Sequence, residues 1–594
     1  MNIPKGAILF DLETDGLLPE LTQVHCAAWQ VYGETTVHSC RGVEALLPLL
    51  ASAPMVIGHN IMAFDIPAIQ KLYPTFTITG MVLDTLLCTR LIWPEVKQQD
   101  FIEYRRDKSF IPTKLIGSHS LEAWGYRLKV LKEQYTGGWE QWSPEMQHYN
   151  EQDVVVTAAL FNLIVSKDYS ETAIQLEHDF ARCLVEMENR GFSFDEEKAV
   201  ALYSELVAER ETLRGKLQEV FPPWEETETF IPKVNNKARG YVKGEPFTKR
   251  WMVTFNPASH EHIAKRLIVQ RDWKPKEFTD TGDPKTDEHT LAQLAPDWEE
   301  CALLVRYLEV NKIIGMLAEG DNAWLKLSKN GRIHGRVIGN GTVTGRCAHH
   351  TPNLGQIPKK GDLGKRCRAL FRATPGLRLV GADASGLELR ALAHYMALYD
   401  GGAYAKVVTE GDVHTFNQQA AGLPTRDNAK TFIYGWLYGA GDAKIGKIVG
   451  KGMAEGKKLR LAFLRRIPAV SRLKNAVAES VQKRGYLFGL DKRKLHIRSS
   501  HSALNTLLQS CGAILVKRAT VILHEELRKR GYLGTSVWMV AHVHDEMQLE
   551  VQPGMEETIG QLAVQSIQLA GESFGLRCSL TGEHKAGENW KETH

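Results

Sequence analysis

Two groups of acidic residues have the types and spacing of metal-assisted phosphate chemistry. Asp11 and Glu13 stand two apart just after an apolar run, Ala7 to Phe10. Side chains alternate across a strand, so both carboxylates share one face and can bind one metal together. Asp65, in GHNIMAFD, and Asp153, in YNEQD, add two more acids, and Tyr149 precedes Asp153 by one helical turn. Four such carboxylates suit two divalent ions about 3.5–4 Å apart, which activate a water and stabilise the leaving oxygen of a phosphodiester. Hard cations require oxygen ligands of this kind. A single Asp-x-Glu arises by chance in a chain this long; the ordered set carries the reading. Asp84 is a further acid, but in Asp84-Thr85-Leu86 it reads better as a helix cap.

The second group lies in the C-terminal half. Leu377 to Ala382 reads as a strand ending at Asp383, and Ser385-x-x-Glu388 opens a helix in capping-box form. Glu388 thus has two roles open to it, partner of Ser385 or group at a site. Arg426, Lys430, Tyr434 and Tyr438 recur every four residues, placing cations and rings along one helical stripe. Such a stripe can clamp a triphosphate below a stacked base, with Tyr434 near the sugar. The alternative is a solvated basic edge with tyrosines half in the core. Trp538 to Val543 and Met547 to Val551 read as a hairpin carrying His544-Asp545-Glu546 at its turn. Asp383 and Asp545 can then meet at the same metals, although Asp-Glu at a turn is otherwise ordinary turn chemistry.

The elements that must position these groups follow from changes in pattern. Residues 1–170 alternate strand-like and helix-like stretches, as in a compact α/β unit. From Thr172 to Lys216 the apolar spacing is helical, through Ile174, Phe180, Leu184 and Met187. Residues 221–255 hold Pro222, Pro223 and Trp224, then basic residues with little apolar periodicity, and read as a loop or small inserted module. Helical pattern returns from Glu299 to Leu327, before turns at Gly339, Gly341 and Gly345. That glycine run misses the spacing G-x-G-x-x-G, and no P-loop occurs, so Rossmann and Walker sites are excluded.

With 594 residues the chain is too long for one core and predicts several domains. Its 43% hydrophobic and 24% charged residues exclude wholesale disorder, collagen and coiled coil. A net charge of +3 gives no global basic signature, but Lys444 to Arg498 holds 16 Lys and Arg against Glu455, Glu479 and Asp491. This stretch suits nucleic-acid phosphates and predicts salt-dependent binding. Nine scattered cysteines without Cys-x-x-Cys favour a reducing cytosol over disulfides or thiolate zinc. The most apolar stretch is read as Ala45 to Ile57, which Pro48 and Pro54 interrupt and which is too short to span a bilayer, and Lys5, Asp11 and Glu13 stand where a signal peptide needs an apolar run. No membrane association and a cytoplasmic location are expected.

Asp11 and Glu13, Asp65, and Tyr149 with Asp153 resemble the three motifs of the DEDD 3′–5′ exonuclease family, tyrosine subtype. In the C-terminal half, DASGLELRALAH, RDNAKTFIYGWLYGAGD, NTLLQS and HDE, with VTGRCAHHTPNLGQIP and the closing GENW, resemble the motifs of family A DNA polymerases in order and spacing. The likeness is greatest to replicative polymerases of short-tailed bacteriophages and covers nearly the whole chain. It implies an α/β, RNase H-like exonuclease domain at 1–170, followed by a right-hand polymerase fold of α+β type. The thumb would span 171–335 with a short insertion at about 221–255, the palm 336–410 and 501–594, and the fingers 411–500.

The resemblance also implies roles. Asp383 and Asp545 would hold two Mg²⁺ ions, replaceable by Mn²⁺, with Ala384 offering its carbonyl. Asp11, Glu13, Asp65 and Asp153 would hold two more, with Tyr149 orienting the attacking water. His414, Arg426 and Lys430 would face the incoming deoxynucleoside triphosphate, while Glu388 and Tyr434 exclude a 2′-hydroxyl. Arg346, Gln509 and His544 would contact primer–template DNA, as would Asn353 and Gln356. The expected protein is a monomer in the host bacterial cytoplasm, working with a replicative helicase. Phage relatives use a long thumb insertion to capture host thioredoxin as a processivity factor, and the shortness of 221–255 argues against that partner here. A 5′-nuclease domain finds no room. Three rivals compete: a single-subunit RNA polymerase, against which Glu388 and the exonuclease motifs argue, a nuclease that only grips DNA with its C-terminal half, and a non-enzymatic accessory with decayed sites.

Overall fold

The computed structural model describes residues 2–131 and 135–594. They form two compact units: Met1–Phe192 with Gly335–Ile357 and Arg372–His594, and Ser193–His334 with Pro358–Phe371.

In the first unit, a five-stranded sheet runs in the order His38–Arg41, Val24–Val31, Ile8–Thr14, Met55–Gly58, Met81–Asp84. The first three strands pair antiparallel and the last three parallel, the mixed topology expected of an RNase H-like α/β fold. Alternation along Ile8–Thr14 sorts its side chains: Ile8, Phe10 and Leu12 join one core cluster, Ala7 and Leu9 the other. Asp11 and Glu13 continue the Leu9 face. Onto that face packs the helix Pro144–Ser166, whose Val154, Leu160, Phe161 and Ile164 share the Leu9 cluster. Ser143 starts this helix by accepting from the Met146 backbone N–H at 3.1 Å, with Pro144 in the first turn.

A second sheet in the same unit orders Val537–Val543, Glu546–Val551, Arg378–Ala384 and Gly582–Gly587, all antiparallel. The strand Glu546–Val551 is buried on both faces. Met547, Leu549 and Val551 enter the large core with the helices Ala503–Lys529 and Glu556–Ser573, each side chain contributing about 1.5–3 kcal/mol by burial. The polar face is satisfied by hydrogen bonds: Arg190 donates to Glu550 at 2.6 Å, and Thr374 does so through N at 2.9 Å and Oγ1 at 2.7 Å. Among the described residues the one helical segment long and apolar enough to cross a membrane is Ser500–Lys529, not the stretch Ala45–Ile57 expected to be the most apolar, and 78% of its apolar window is buried inside the protein. Its apolar side chains serve the core.

The remaining helices of this unit include Arg426–Leu437, Asp442–Lys447, Met453–Arg466 and Pro468–Arg484. Thr425 caps Arg426–Leu437 through the Asn428 N–H at 3.1 Å. Phe432, Ile433 and Trp436 are buried, which leaves Arg426 and Lys430 exposed along the other side.

The second unit is built on the helices Glu196–Val220 and Glu299–Ile314, joined by a bidentate Arg306–Glu209 pair at 2.6 and 3.0 Å. Residues 221–255 are more ordered than a loop. Trp224–Phe230 and Phe247–Val253 form a seven-residue antiparallel ribbon from Trp224↔Val253 to Phe230↔Phe247. Both of its faces are largely exposed, so no apolar alternation marks it in the sequence. Phe230, Tyr241 and Phe247 cluster near its turn with ring centroids 4.6–6.1 Å apart.

Candidate active sites

The first carboxylate site sits on the Asp11 strand. Carboxylate oxygens of Asp11, Glu13 and Asp153 all lie within 4.8 Å of one another. This set of hard oxygen donors fits a divalent cation, which relieves the mutual repulsion of three carboxylates at that spacing. Buried Asn150, one turn before Asp153, donates its amide to Asp11 Oδ2 at 2.8 Å. It was missed in the sequence, where its only signal is an amide beside Tyr149 in a helix that must bury that face. Asp65, the first residue of the helix Asp65–Leu72, lies outside the 4.8 Å group. Burial above all pushes its carboxyl up to about 7, and the charges of Asp84 and Asp153 add to the rise. Tyr149 is half-buried with Tyr135 and Trp139 at 5.7 and 6.3 Å between centroids, beside a cavity of about 1000 Å³ lined also by Trp142 and His148.

Asp84 is a cap, as its sequence context indicates. Its carboxylate accepts from the N–H groups of Leu86 at 2.9 Å, Asn60 at 2.9 Å and Met62 at 3.1 Å. It therefore holds the bend that precedes Asp65 as well as the helix Thr85–Ile92.

The second site lies at the end of the four-stranded sheet. Val543 pairs with Glu546, so His544 and Asp545 form a two-residue turn, with His544 at φ +58°. Asp383 pairs with Glu546 on the next strand, and the Ala384 N–H donates to the Asp545 carbonyl at 3.2 Å. Residues separated by more than 150 positions thus reach one sheet end. Burial and the nearby Glu388 charge raise the Asp545 carboxyl above its ordinary range. A carboxylate raised in this way gains from a divalent cation. The strand runs to Ala384, slightly beyond the expected end at Asp383.

The capping box expected at Ser385 does not form. The helix Leu387–Asp400 starts from Gly386 at φ +60° with no side-chain cap, and the Ser385 N–H donates to the Thr581 carbonyl at 3.0 Å. That pairing continues the sheet edge through Ser385 and leaves Glu388 free for a different partner set. Glu388 Oε1 accepts from the Tyr438 hydroxyl at 2.8 Å and from Arg346 at 3.2 Å. Arg346, Glu388, Tyr438, His544 and Asp545 line a cleft of about 290 Å³.

Arg426, Lys430, Tyr434 and Tyr438 follow one stripe, although Tyr438 lies just past the helix end. Arg426 forms a two-pronged pair with Asp412 at 2.7 and 3.2 Å, which holds the Asp412 carboxyl well below the usual range. Half-buried His414 has its centroid 6.3 Å from that of Tyr434. Burial lowers its pKa, and the Arg426 and Lys430 charges add to the effect. The Tyr434 hydroxyl is pushed up to about 12 by burial and by the charges of Glu388, Tyr438 and Asp545. Gln509 is half-buried on Ala503–Lys529, while Asn353 precedes the short turn Leu354–Gln356 and Gln356 ends it, exposed.

The basic stretch is mixed in use. Arg493, within it, is fully buried in ion pairs with Asp491 and Glu177, and Arg460 pairs with Asp442 at 2.6 Å.

The sequence profile of DNA polymerase family A matches residues 236–592, a span that holds every residue of the second site. The chain belongs to family A of the DNA polymerases. Among curated proteins it is 38% identical to the DNA-directed DNA polymerases of Enterobacteria phage T3 and Escherichia phage T7, which cover 99% of this chain and align over their full length. Those alignments run over 707 and 710 positions, so these relatives carry segments absent from the 594 residues here. A solved structure, the POL domain of Pol1 from M. smegmatis in complex with DNA primer-template and dNTP, shares the fold. Its TM-score is 0.73 at 19% identity, covering 99% of this chain and 96% of that one.

Proposed function

We propose that the protein is a template-directed DNA polymerase of phage replication that extends a primer 3′ end and proofreads through a separate 3′–5′ exonuclease centre. The observation that carries this reading is the meeting of Asp383 and Asp545 at one sheet end, with Glu388, Tyr434 and Tyr438 beside them. A second, distinct group of carboxylates at Asp11, Glu13 and Asp153 supports the exonuclease. We assign residues 1–170 to the exonuclease, 171–335 to the thumb, 336–410 and 501–594 to the palm and 411–500 to the fingers.

Asp383, Asp545 and the Ala384 carbonyl would hold two Mg²⁺ ions, and Asp11, Glu13 and Asp153, with Asp65 nearby, would hold two others. When bound, the ions activate the attacking oxygen and neutralise charge on the leaving one. Around them, Arg426, Lys430 and His414 bind the triphosphate, and Arg426 exchanges Asp412 for phosphate oxygens. Glu388 and Tyr434 lie at the sugar, where a 2′-hydroxyl would meet a carboxylate already holding Tyr438 and Arg346. Arg346, Gln509, His544, Asn353 and Gln356 align the primer–template. Such alignment and charge placement are what phosphoryl transfer requires, since no covalent nucleophile is involved. In the exonuclease, Tyr149 orients the attacking water. The protein acts as a monomer in the bacterial cytoplasm beside a helicase. The exposed ribbon at 224–253 is short for a segment that captures a thioredoxin-like factor, and no such partner is assigned to it.

The test is extension of a labelled primer on a template. With Mg²⁺ and four deoxynucleotides the primer lengthens, with Mg²⁺ alone it shortens, and with a chelator neither occurs. Shortening without extension when Mg²⁺ and all four nucleotides are supplied would favour a nuclease, and equal use of ribonucleotides would remove Glu388 and Tyr434 from the sugar. Tyr434→Phe is expected to increase discrimination against dideoxynucleotides by about tenfold or more, the scale of one buried hydrogen bond lost. Competition between deoxy- and dideoxynucleotides reads this ratio, and an unchanged ratio would separate the Tyr434 hydroxyl from the sugar.

A further inference from the structure

The helix Glu171–Arg190 carries two adjacent buried residues that reach toward different acidic centres. Glu177 accepts from Lys517 at 2.6 Å and pairs with Arg493 at 2.7 Å, and Arg493 also grips Asp491 at 2.6 Å. All four side chains are at most 3% exposed, and their formal charges cancel. Lys517 lines the cleft that holds Asp545 and Arg346. Arg493 lies against Gly345, which has φ +77° and where a Cβ would come within 2.7 Å of the guanidinium. Gly345 directly precedes Arg346, the partner of Glu388. The buried charge network therefore supports the backbone that presents Arg346.

His178, the next residue, faces the other centre. Its Nδ1–H donates to the Ile174 carbonyl at 2.7 Å, which leaves Nε2 to accept from the Asp84 N–H at 2.8 Å. Asp84 in turn holds the bend at Asn60 and Met62 that leads into Asp65. A second route closes the circuit. Asn340 lies 3.5 Å from Arg493 through Oδ1 and donates through Nδ2 to the Arg90 carbonyl at 2.9 Å, on the helix that Asp84 caps. Ser170, the cap of Glu171–Arg190, adds a bond to the Asp491 carbonyl at 2.5 Å.

We propose that the helix Glu171–Arg190 is a shared positioning element for both acidic centres, with Glu177 setting the Arg346 side and His178 the Asp65 side. Close-packed, fully hydrogen-bonded elements move as units, so displacement at one of these residues is transmitted to the other. The claim for the Asp65 side rests on the exonuclease reading above; the claim for the polymerase side does not.

The test pairs two substitutions. Glu177→Gln with Lys517→Met keeps the buried network neutral. It is expected to lower kcat for extension about tenfold with KM for the nucleotide within twofold, and to lower excision of single-stranded DNA at least threefold, although that substrate does not need the polymerase cleft. His178→Leu removes the acceptor for the Asp84 N–H and is expected to slow excision about tenfold and extension at least twofold. His178→Gln, whose side-chain carbonyl can accept that bond, restores both. Effects confined to the nearer centre in each variant would overturn the shared role. So would equal losses from Glu186→Gln, a residue of the same helix whose partners, His524 and Arg528 on Ala503–Lys529, belong to neither centre. If the double variant does not fold, the two His178 variants decide the matter. If the unaltered protein excises nothing, the exonuclease reading fails, while slower extension by His178→Leu still supports this proposal.

Discussion

Replacing Asp545 with alanine is expected to lower primer extension by on the order of a thousandfold or more while leaving single-strand excision within about twofold of the unaltered rate. Asp545 lies in a two-residue turn, next to Ala384 through a 3.2 Å backbone hydrogen bond and one position from the Asp383–Glu546 pair. Alanine keeps the turn, whose positive φ belongs to His544. What disappears is a carboxylate already raised by burial and by Glu388, so its loss removes repulsion as well as the ligand proposed for the metal ions. Thermal stability should therefore hold or rise slightly, which separates loss of chemistry from loss of fold. Parallel measurement of extension, excision and melting checks this, and excision that falls along with extension would contradict two independent centres.

The reverse result is expected from Asp11→Ala with Glu13→Ala. Excision should fall by roughly three orders of magnitude, with extension unchanged within about twofold. Both residues share one face of the strand Ile8–Thr14, and with Asp153 they form the 4.8 Å carboxylate group. Removing two of three mutually repelling carboxylates costs the sheet little, because its cores are built from Ile8, Leu9, Phe10 and Leu12. A misincorporated primer end would then persist, so the error frequency during copying should rise. Excision that survives the double change would move the exonuclease away from these acids.

How far the site could be read in advance differs by element. Asp11 and Glu13 were legible because strand alternation is strict. Asp84 was legible as a cap because the residues after it open a helix. Glu388 was half legible: its place near the helix start was right, but the Ser385 cap was displaced when Ser385 joined the sheet edge at Thr581. The ribbon at 224–253 was invisible to periodicity because neither face is buried. The helix Ala503–Lys529 does not stand out in the sequence because polar residues such as Lys517 interrupt its apolar run, and Lys517 is buried against Glu177, which comes from another helix.

Local chemistry along the chain was enough to single out the carboxylates, the cation–tyrosine stripe and the hairpin carrying His544 and Asp545, because strand and helix periods act over a few residues. Their order and spacing were enough to place the chain in a family. The meeting of Asp383 with Asp545, the Arg346–Glu388–Tyr438 group, the exclusion of Asp65 from the tight carboxylate group, and the burial of Arg493 within a basic stretch were decided by tertiary packing. These depend on which distant surfaces close on one another, and burial of a charge becomes tolerable only where its partner is delivered by another part of the chain.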